Sequence, residues 1–388
     1  MTYFHWIAGS LLALIWFSRV VDAWRGVRTL ADISRPEWDK NPGASGSSPK
    51  VAIIVPARNE EGSIAQALQR LLALDYSNYQ VIAINDRSTD STGQIMDSVA
   101  SEARGRLKIV HIRELPSGWM GKAHAMWTAA NQTDAEWLLF TDADVMFHPD
   151  CLRRAITYAE TEHADHMVLL PRVIMKRPGE KMMVGFFQLL FVFGHRPWKC
   201  ADPKARDHMG VGAFNLVRRA AYEAVGTYER LRFEVVDDMK MGKVIKNAGF
   251  RQRVVLGNLI EIRWAHGARG VVNNLTKNFF AVMSFQVWRA VGGSIAVAVM
   301  NLLPFLGVLL APGWTRIVYG LALVSMFGLY AGIWRRDEIP PWYFVLHPVS
   351  TVLFIYTILR SMFVTLWNGG VEWRGTFYPL EDLRKGLV

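Results

Sequence analysis

One short segment restricts the fold of this chain more than any other. The apolar run Trp137-Leu138-Leu139-Phe140 is followed at once by Thr141-Asp142-Ala143-Asp144. Four bulky apolar residues in succession suit a strand buried on both faces. Two acids at i and i+2 then put both carboxylates at one sheet edge, flanking a single turn. A hydrophobic core has no use for such a pair. A divalent cation carrying a diphosphate does, because hard cations take carboxylate oxygens and complete their shell with phosphate and water. The segment therefore points to nucleotide-dependent group transfer.

The chain around it repeats the pattern. Val51-Ala52-Ile53-Ile54-Val55, Val81-Ile82-Ala83-Ile84 and Leu107-Lys108-Ile109-Val110 read as further strands. Helical spacing fills residues 62–74, 92–102 and 123–131. This alternation predicts an α/β domain built on a Rossmann-like, mostly parallel sheet. Ligands of such sheets sit beyond the carboxyl ends of the strands, where the polar residues of this chain collect.

Of the 388 residues, 51% are hydrophobic, with 15 Trp and 20 Phe, which predicts contact with a membrane. Residues 1–18 are apolar and precede Arg19, Arg25 and Arg28. A signal peptide carries its basic residues ahead of the apolar stretch and a small-residue cleavage site behind it. Residues 1–28 instead read as an anchor whose basic flank makes the following domain cytoplasmic. A linker is assigned to residues 29–49, ending in a run rich in Pro, Gly and Ser. Beyond it are expected a catalytic domain over 50–270, an interfacial segment over 271–291, about three membrane helices over 292–367 and a tail over 368–388. Apolar runs at 292–312, 317–334 and 342–359, the last continuing past Arg360, are long enough to span. The run at 182–193 is too short and reads as an interfacial helix or a hydrophobic lid. A multi-pass protein of the inner (plasma) membrane is the expected outcome.

The net charge of +10 suits anionic lipid or a phosphorylated substrate. No basic run interleaved with aromatics supports nucleic acid as a partner. Cys151 and Cys200 form neither a metal spacing nor a disulfide framework, as expected of a reducing compartment.

Charged residues gather at the strand ends. Pro56-Ala57-Arg58-Asn59-Glu60-Glu61 follows the first strand, Asn85-Asp86-Arg87-Ser88-Thr89-Asp90 the second, and Asp142 with Asp144 the fourth; Asp237-Asp238 comes later. A single acidic turn is often only a helix N-cap, the reading kept for Asp90 and Asp150. The ordered set is more specific. Together with Gly210-Val211-Gly212-Ala213-Phe214-Asn215 and Trp373-Arg374-Gly375-Thr376-Phe377-Tyr378, it resembles the family 2 glycosyltransferases, inverting enzymes of GT-A fold, over about residues 51–249. Pro116-Ser117-Gly118-Trp119-Met120-Gly121-Lys122 is by itself a glycine-bearing surface turn. It also resembles the form found in hopanoid-associated and carotenoid-type membrane members, which makes it a loop bringing Lys122 to the nucleotide.

The resemblance implies roles residue by residue. Asp86 meets the uracil of a UDP-sugar, and Pro56, Ala57, Arg58 and Glu60 line the nucleoside pocket. Lys122 and Asp237 serve the nucleotide-sugar. Asp142 and Asp144 hold the ribose side and a Mg²⁺ or Mn²⁺ ion on the diphosphate. Asp238 is the general base that deprotonates the acceptor, a role its acidic neighbour favours by raising its pKa. The apolar helices make a lipid the expected acceptor, receiving a single sugar. Processive relatives carry Q-x-x-R-W; here Gln286-Val287-Trp288-Arg289-Ala290 lacks the final Trp, which argues against a polysaccharide synthase. Lys277 and Arg289 read either as pyrophosphate ligands or as cations snorkelling to the membrane surface. A third alternative, a non-enzymatic nucleotide- or lipid-binding protein, predicts a dispensable Asp238.

Overall fold

The computed structural model describes residues 2–41 and 48–388, so linker residues 42–47 lie outside the described part. In chain order, α1 is Thr2–Val27, β1 Val51–Ala57, α2 Ile64–Leu72, β2 Tyr79–Asp86, α3 Thr92–Glu102 and β3 Leu107–Ile112. Then come α4 (Gly121–Ala130), β4 (Trp137–Phe140), β5 (Met146–Phe147), α5 (Cys151–Thr161), β6 (His166–Leu169), β7 (Arg172–Val173) and α6 (Pro178–Gly194). They are followed by β8 (Asn215–Arg218), α7 (Arg219–Ala224), α8 (Asp237–Asn247), β9 (Gln252–Val255) and β10 (Ile260–Ile262). The remainder is α9 (Gly267–Val282), α10 (Val287–Leu310), α11 (Arg316–Asp337), α12 (His347–Asn368), β11 (Gly370–Trp373), β12 (Thr376–Pro379) and α13 (Leu380–Lys385).

Two compact units share the chain. The first comprises Leu30–Ile174, Pro197–Arg263 and Arg374–Val388. Its seven-stranded sheet has the order β3-β2-β1-β4-β8-β6-β9. The apolar runs form these strands because both faces are covered: Val51, Ile53, Val81, Ile82, Trp137 and Leu139 are fully buried. β1 pairs in parallel with both β2 and β4, Ile53 facing Val81 on one side and Leu139 on the other. Strand order reverses at β1, opening a crevice at the carboxyl ends of β1 and β4. The expected parallel sheet holds except at β8, which runs antiparallel to β4 and β6. The loop before β8 meets the carboxyl end of β4, with the Asp142 N–H donating to the Gly212 carbonyl at 3.0 Å, so the strand that follows runs away from that edge.

This unit is less continuous in sequence than the assigned domain. It takes in residues from the stretch assigned to a linker. Ile33 is fully buried, Asp32 bridges to Leu256, and Asp39 pairs with Arg153 and, at 2.9 Å, with Arg154. One apolar side chain and one acid paired with the buried Arg154 and the half-buried Arg153 order a segment whose composition reads as a linker. The unit also includes the last fifteen residues and omits 175–196.

The second unit comprises Met1–Thr29, Met175–Arg196 and Trp264–Trp373. Among the described residues, four of its helices are long and apolar enough to cross a membrane: Thr2–Val27, Val287–Leu310, Gly313–Trp334 and Pro341–Asn368. Large apolar side chains such as Leu14, Leu310, Val324 and Trp367 are exposed, as on helices meant for lipid. The short helix α6 packs inside this unit. Phe186 is fully buried with its ring against His347 and Phe354, and Glu180 accepts the Gly267 N–H at 2.7 Å. His347, the first residue of α12, lies 3.1 Å from the Asn301 side chain and 3.2 Å from the Tyr330 hydroxyl. Those partners are interior to α10 and α11, so α12 begins level with their middles and not with their ends.

Candidate active site

The loops after β1 and β2 are fastened to each other. The Asn59 N–H donates to Ser88 Oγ at 3.1 Å and the Glu60 N–H to Thr92 Oγ1 at 2.8 Å. Asp90 accepts from the Glu61 and Thr92 N–H groups, so its role is to tie the two turns together. Asn59 and Arg87 take φ of 55° and 54°, which bends both loops sharply. Pro56 is half-buried and Ala57 buried at the crevice wall.

Asp86, expected to meet the nucleobase, is 5% exposed and already engaged. Arg87 folds back onto it, Nε to Oδ1 at 2.7 Å and Nη2 to Oδ2 at 3.0 Å. A base reaching Asp86 shares it with that guanidinium or displaces it. The pair sits against the start of α4, where a Cβ on Gly121 would collide with Asp86 and would lie 2.5 Å from Arg87 Nη2. Gly121 is therefore required by close approach.

The second residue of α4 brings a cation into the acids. Lys122 Nζ lies 2.8 Å from Asp142 Oδ1 and 3.7 Å from Asp237 Oδ1. Burial works against its charge, but Asp142, Asp237 and Asp238 outweigh that and hold its pKa above the usual lysine value. Desolvation within the cleft, then Asp142 and Glu60, push the Asp144 carboxyl up to about 6. Asp144 itself is exposed at the rim.

Asp237 and Asp238 open α8, where the helix dipole favours acids. The Asp237 carboxylate is buried, with Oδ2 lacking a hydrogen-bond partner. Asp238 Oδ2 accepts the Gly212 N–H at 2.7 Å, and Oδ1 accepts the Met239 N–H at 2.7 Å. Burial, then Asp237, push the Asp238 carboxyl up to about 6 against the pull of Lys122. A carboxylate fixed by two backbone donors and held near pKa 6 can act as a proton acceptor.

The loop of residues 209–214 meets α8 backbone to backbone. A Cβ on Gly210 would fall on the Asp238 carbonyl, and one on Gly212 would lie 2.5 Å from Asp142 Oδ2. Behind it runs a buried polar network. His166 bonds Asn215 on one side and Gln252, at 2.7 Å, on the other. Gln252 accepts from the Met209 N–H at 2.9 Å and donates to the Met209 and Gly242 carbonyls at 3.1 Å. Burial lowers the His166 pKa to about 4, so the ring is neutral there.

Pro56, Ala57, Arg58, Glu60, Asp86, Lys122, Asp142, Asp144, Asp237 and Asp238, the residues expected at the site, all belong to the sheet unit. The sequence reading misses Arg87, the network at His166, Asn215 and Gln252, and the contacts of Arg374 and Tyr378. Arg374 donates to Glu60 at 2.6 Å, and the Tyr378 hydroxyl accepts the Gly121 N–H at 3.0 Å. The motif at residues 373–378 was visible, but its contacts lie more than 250 residues upstream in the chain. Lys277 and Arg289 belong to the helical unit, over the rings of Trp373 (5.1 Å) and Trp288 (5.2 Å).

The residues fit a divalent cation through the chemistry of their donors. Asp142 and Asp144 offer hard oxygens, and a carboxyl pushed toward protonation by other acids gains from an added cation. Among the described residues no three His, Cys, Asp or Glu side chains form a ready-made cage.

Residues 52–226 match the family described as Glycosyl transferase family 2. That segment resembles a family 2 glycosyltransferase domain. The chain is similar to the 4,4'-diaponeurosporenoate glycosyltransferase of Staphylococcus haemolyticus, 23% identical over 198 residues, covering 50% of this chain and 51% of that protein. It thus spans about half the length of that relative. The protein of the same name from Staphylococcus aureus is 22% identical over 339 residues, covering 85% of this chain and 88% of the relative. In fold it resembles the mannosyltransferase PcManGT from Pyrobaculum calidifontis, solved in complex with GDP-Man and Mn²⁺. That likeness has a TM-score of 0.58 at 18% identity and covers 90% of this chain and 99% of the other. The GT-A fold expected from the sequence is the fold found.

Proposed function

We propose that this glycosyltransferase moves one sugar, with inversion, from a UDP-sugar to the hydroxyl or carboxyl of a membrane lipid, with Asp238 as the base. The observation that carries the reading is the Asp238 carboxylate, oriented by the Gly212 and Met239 N–H groups beside the ammonium of Lys122. In-line attack at the anomeric carbon needs a base facing the incoming O–H and positive charge facing the departing diphosphate. Asp238 takes the acceptor proton, and Lys122 moves from Asp142 and Asp237 toward the diphosphate. A divalent ion held by Asp142 and Asp144, when bound, neutralises charge on that leaving group. Arg58 and Glu60 line the nucleoside side, with Asp86 available once Arg87 is shared.

The lipid acceptor is supported by the four apolar helices and by relatives named for a carotenoid carboxylate. A carboxyl group at a membrane surface retains its proton more readily than one in water, so a base near pKa 6 serves it as well as a hydroxyl. We place the sheet unit in the cytoplasm, following Arg19, Arg25 and Arg28 toward and just past the C-terminal end of α1. The segments 175–196 and 264–373 each leave the sheet unit and return to it, so each crosses the membrane an even number of times. α6 alone then makes no crossing. Of the three apolar helices in the second segment, α12 starts level with the middles of the other two, which favours α10 and α11 as the crossing pair.

The test is UDP release by detergent-purified protein with a panel of UDP-sugars, Mn²⁺ or Mg²⁺ and lipid extract, beside Asp238→Asn. Release that needs both metal and lipid, and falls about a hundredfold or more in the variant, is the expected result. Equal release by Asp238→Asn removes the base from the scheme.

A further inference from the structure

We infer that residues 374–378 of the C-terminal arm form part of the donor site, with Arg374 a ligand of the nucleoside diphosphate and Tyr378 the residue that positions Lys122 and Arg87. The inference rests on the reading of the protein as a nucleotide-sugar transferase. It concerns residues some 230 positions beyond Asp144, outside the stretch that matches the family.

The arm makes a sharp turn at the crevice, with φ of 49° at Arg374 and 72° at Gly375. The second value is one that only glycine adopts at little cost. At the turn, Arg374 donates to the Arg58 carbonyl and to Glu60 Oε1. The Arg374 side chain is 45% exposed. A pair so open to water adds little stability, which leaves its position unexplained by folding alone. Its charge also reaches Asp144, whose carboxyl it pulls down against the push of Asp142 and Glu60. Lys122 is thus paired with Asp142, and the charge of Arg374 acts on Asp144.

Three guanidiniums meet here. Arg87 is matched by Asp86 and Arg374 by Glu60, while Arg58 Nη1 donates to the Thr376 hydroxyl, at 3.0 Å. Arg58 Nε is buried without a hydrogen-bond partner. Burial, then Arg87, pull the Arg58 pKa down, against the opposing pull of Asp86. Three cations, two carboxylates and one orphaned donor suit a group with several negative oxygens, for which arginine offers paired donors. A nucleoside diphosphate has that chemistry. Tyr378 is 5% exposed, and its hydroxyl accepts from Gly121 N–H and also bonds Arg87. The arm thereby fixes the start of α4, and with it Lys122.

The experiment measures equilibrium binding of UDP and of GDP, with Mn²⁺, to the full chain in detergent, together with the KM for donor and for lipid. Arg374→Ala should weaken nucleotide binding and raise the donor KM by about tenfold or more, the scale of a charge-assisted contact, and leave the lipid KM unchanged. Arg374→Lys should recover part of the loss. Tyr378→Phe should weaken binding by a few-fold with an unchanged melting temperature. The double variant Glu60→Gln/Arg374→Ala separates a ligand from a mere counter-charge: binding stays weak if Arg374 holds the nucleotide. Binding restored in the double variant, or unaltered in Arg374→Ala, overturns the inference while leaving the transferase reading intact. If the unaltered protein binds neither nucleotide, the donor reading itself falls and takes the inference with it.

Discussion

Lys122→Met offers the most direct probe of how the acids are balanced. The ammonium lies 2.8 Å from Asp142 and 3.7 Å from Asp237, and it is one of the influences that hold the Asp238 pKa down. At an effective dielectric near 20, opposite charges about 4 Å apart attract by roughly 4 kcal/mol, and one pKa unit corresponds to about 1.4 kcal/mol. Asp238 feels a fraction of this, enough to displace its titration by about one pH unit or more. The base must be ionised to work, so kcat/KM rises with pH through its pKa, near 6 in the unaltered protein. Removing a cation favours the protonated acid, raises that pKa and carries the acidic limb toward pH 7 or above. The limb belongs to the Asp237–Asp238 pair as a whole. The assay is a pH profile of kcat/KM for UDP release at low salt, with Lys122→Arg as the charge-preserving control. The plateau should also fall, because the diphosphate loses a partner, but the midpoint carries the test. A midpoint that stays put or moves to lower pH refutes the electrostatic account.

Other outcomes follow from the same geometry. Gly210→Ala places a methyl on the Asp238 carbonyl, where backbone has to move, and should cost about 1–3 kcal/mol and most of the activity; a melt and a rate equal to the unaltered protein's would falsify the close approach. Asp144→Asn should raise the melting temperature at pH 7 and abolish stimulation by divalent ions. The folded-state carboxyl near 6 holds its proton more tightly than the unfolded one near 3.8, so Asp144 loses stabilising influence as pH rises through 6. The melting advantage should therefore vanish near pH 4, and an advantage of equal size there counts against the assignment. Gln252→Leu strands the Met209 N–H and two carbonyls, with an expected cost of about 1–3 kcal/mol in a denaturation melt; an unchanged melt would mean the network holds nothing in place. Single cysteines at Gly313 and Gly369 should label from opposite sides of the membrane, whereas labelling from the same side would mean that α12 crosses.

Much of this protein was readable along the chain because the signals are local. Buried parallel strands need unbroken apolar runs, so Val51–Ala57 and Trp137–Phe140 stand out, and turns at their ends expose whatever acids the chemistry uses. Asp142 and Asp144 lie in such a turn, whereas Asp237 and Asp238 open α8; the long apolar helices are equally local signals. What sequence could not decide are relations between distant residues. A charged neighbour is visible in the order Asp86-Arg87, but its folding back onto the acid depends on a left-handed backbone. The reversed strand β8 follows from where its preceding loop meets β4, and the packing of residues 30–41 from a few side chains with buried partners. Arg374 and Tyr378 reach the crevice only because the chain returns to the sheet unit after α12. Local composition sets which elements form. Which charges meet is set by close packing between elements far apart in sequence, and there Lys122, Arg58 and Arg374 acquired their partners.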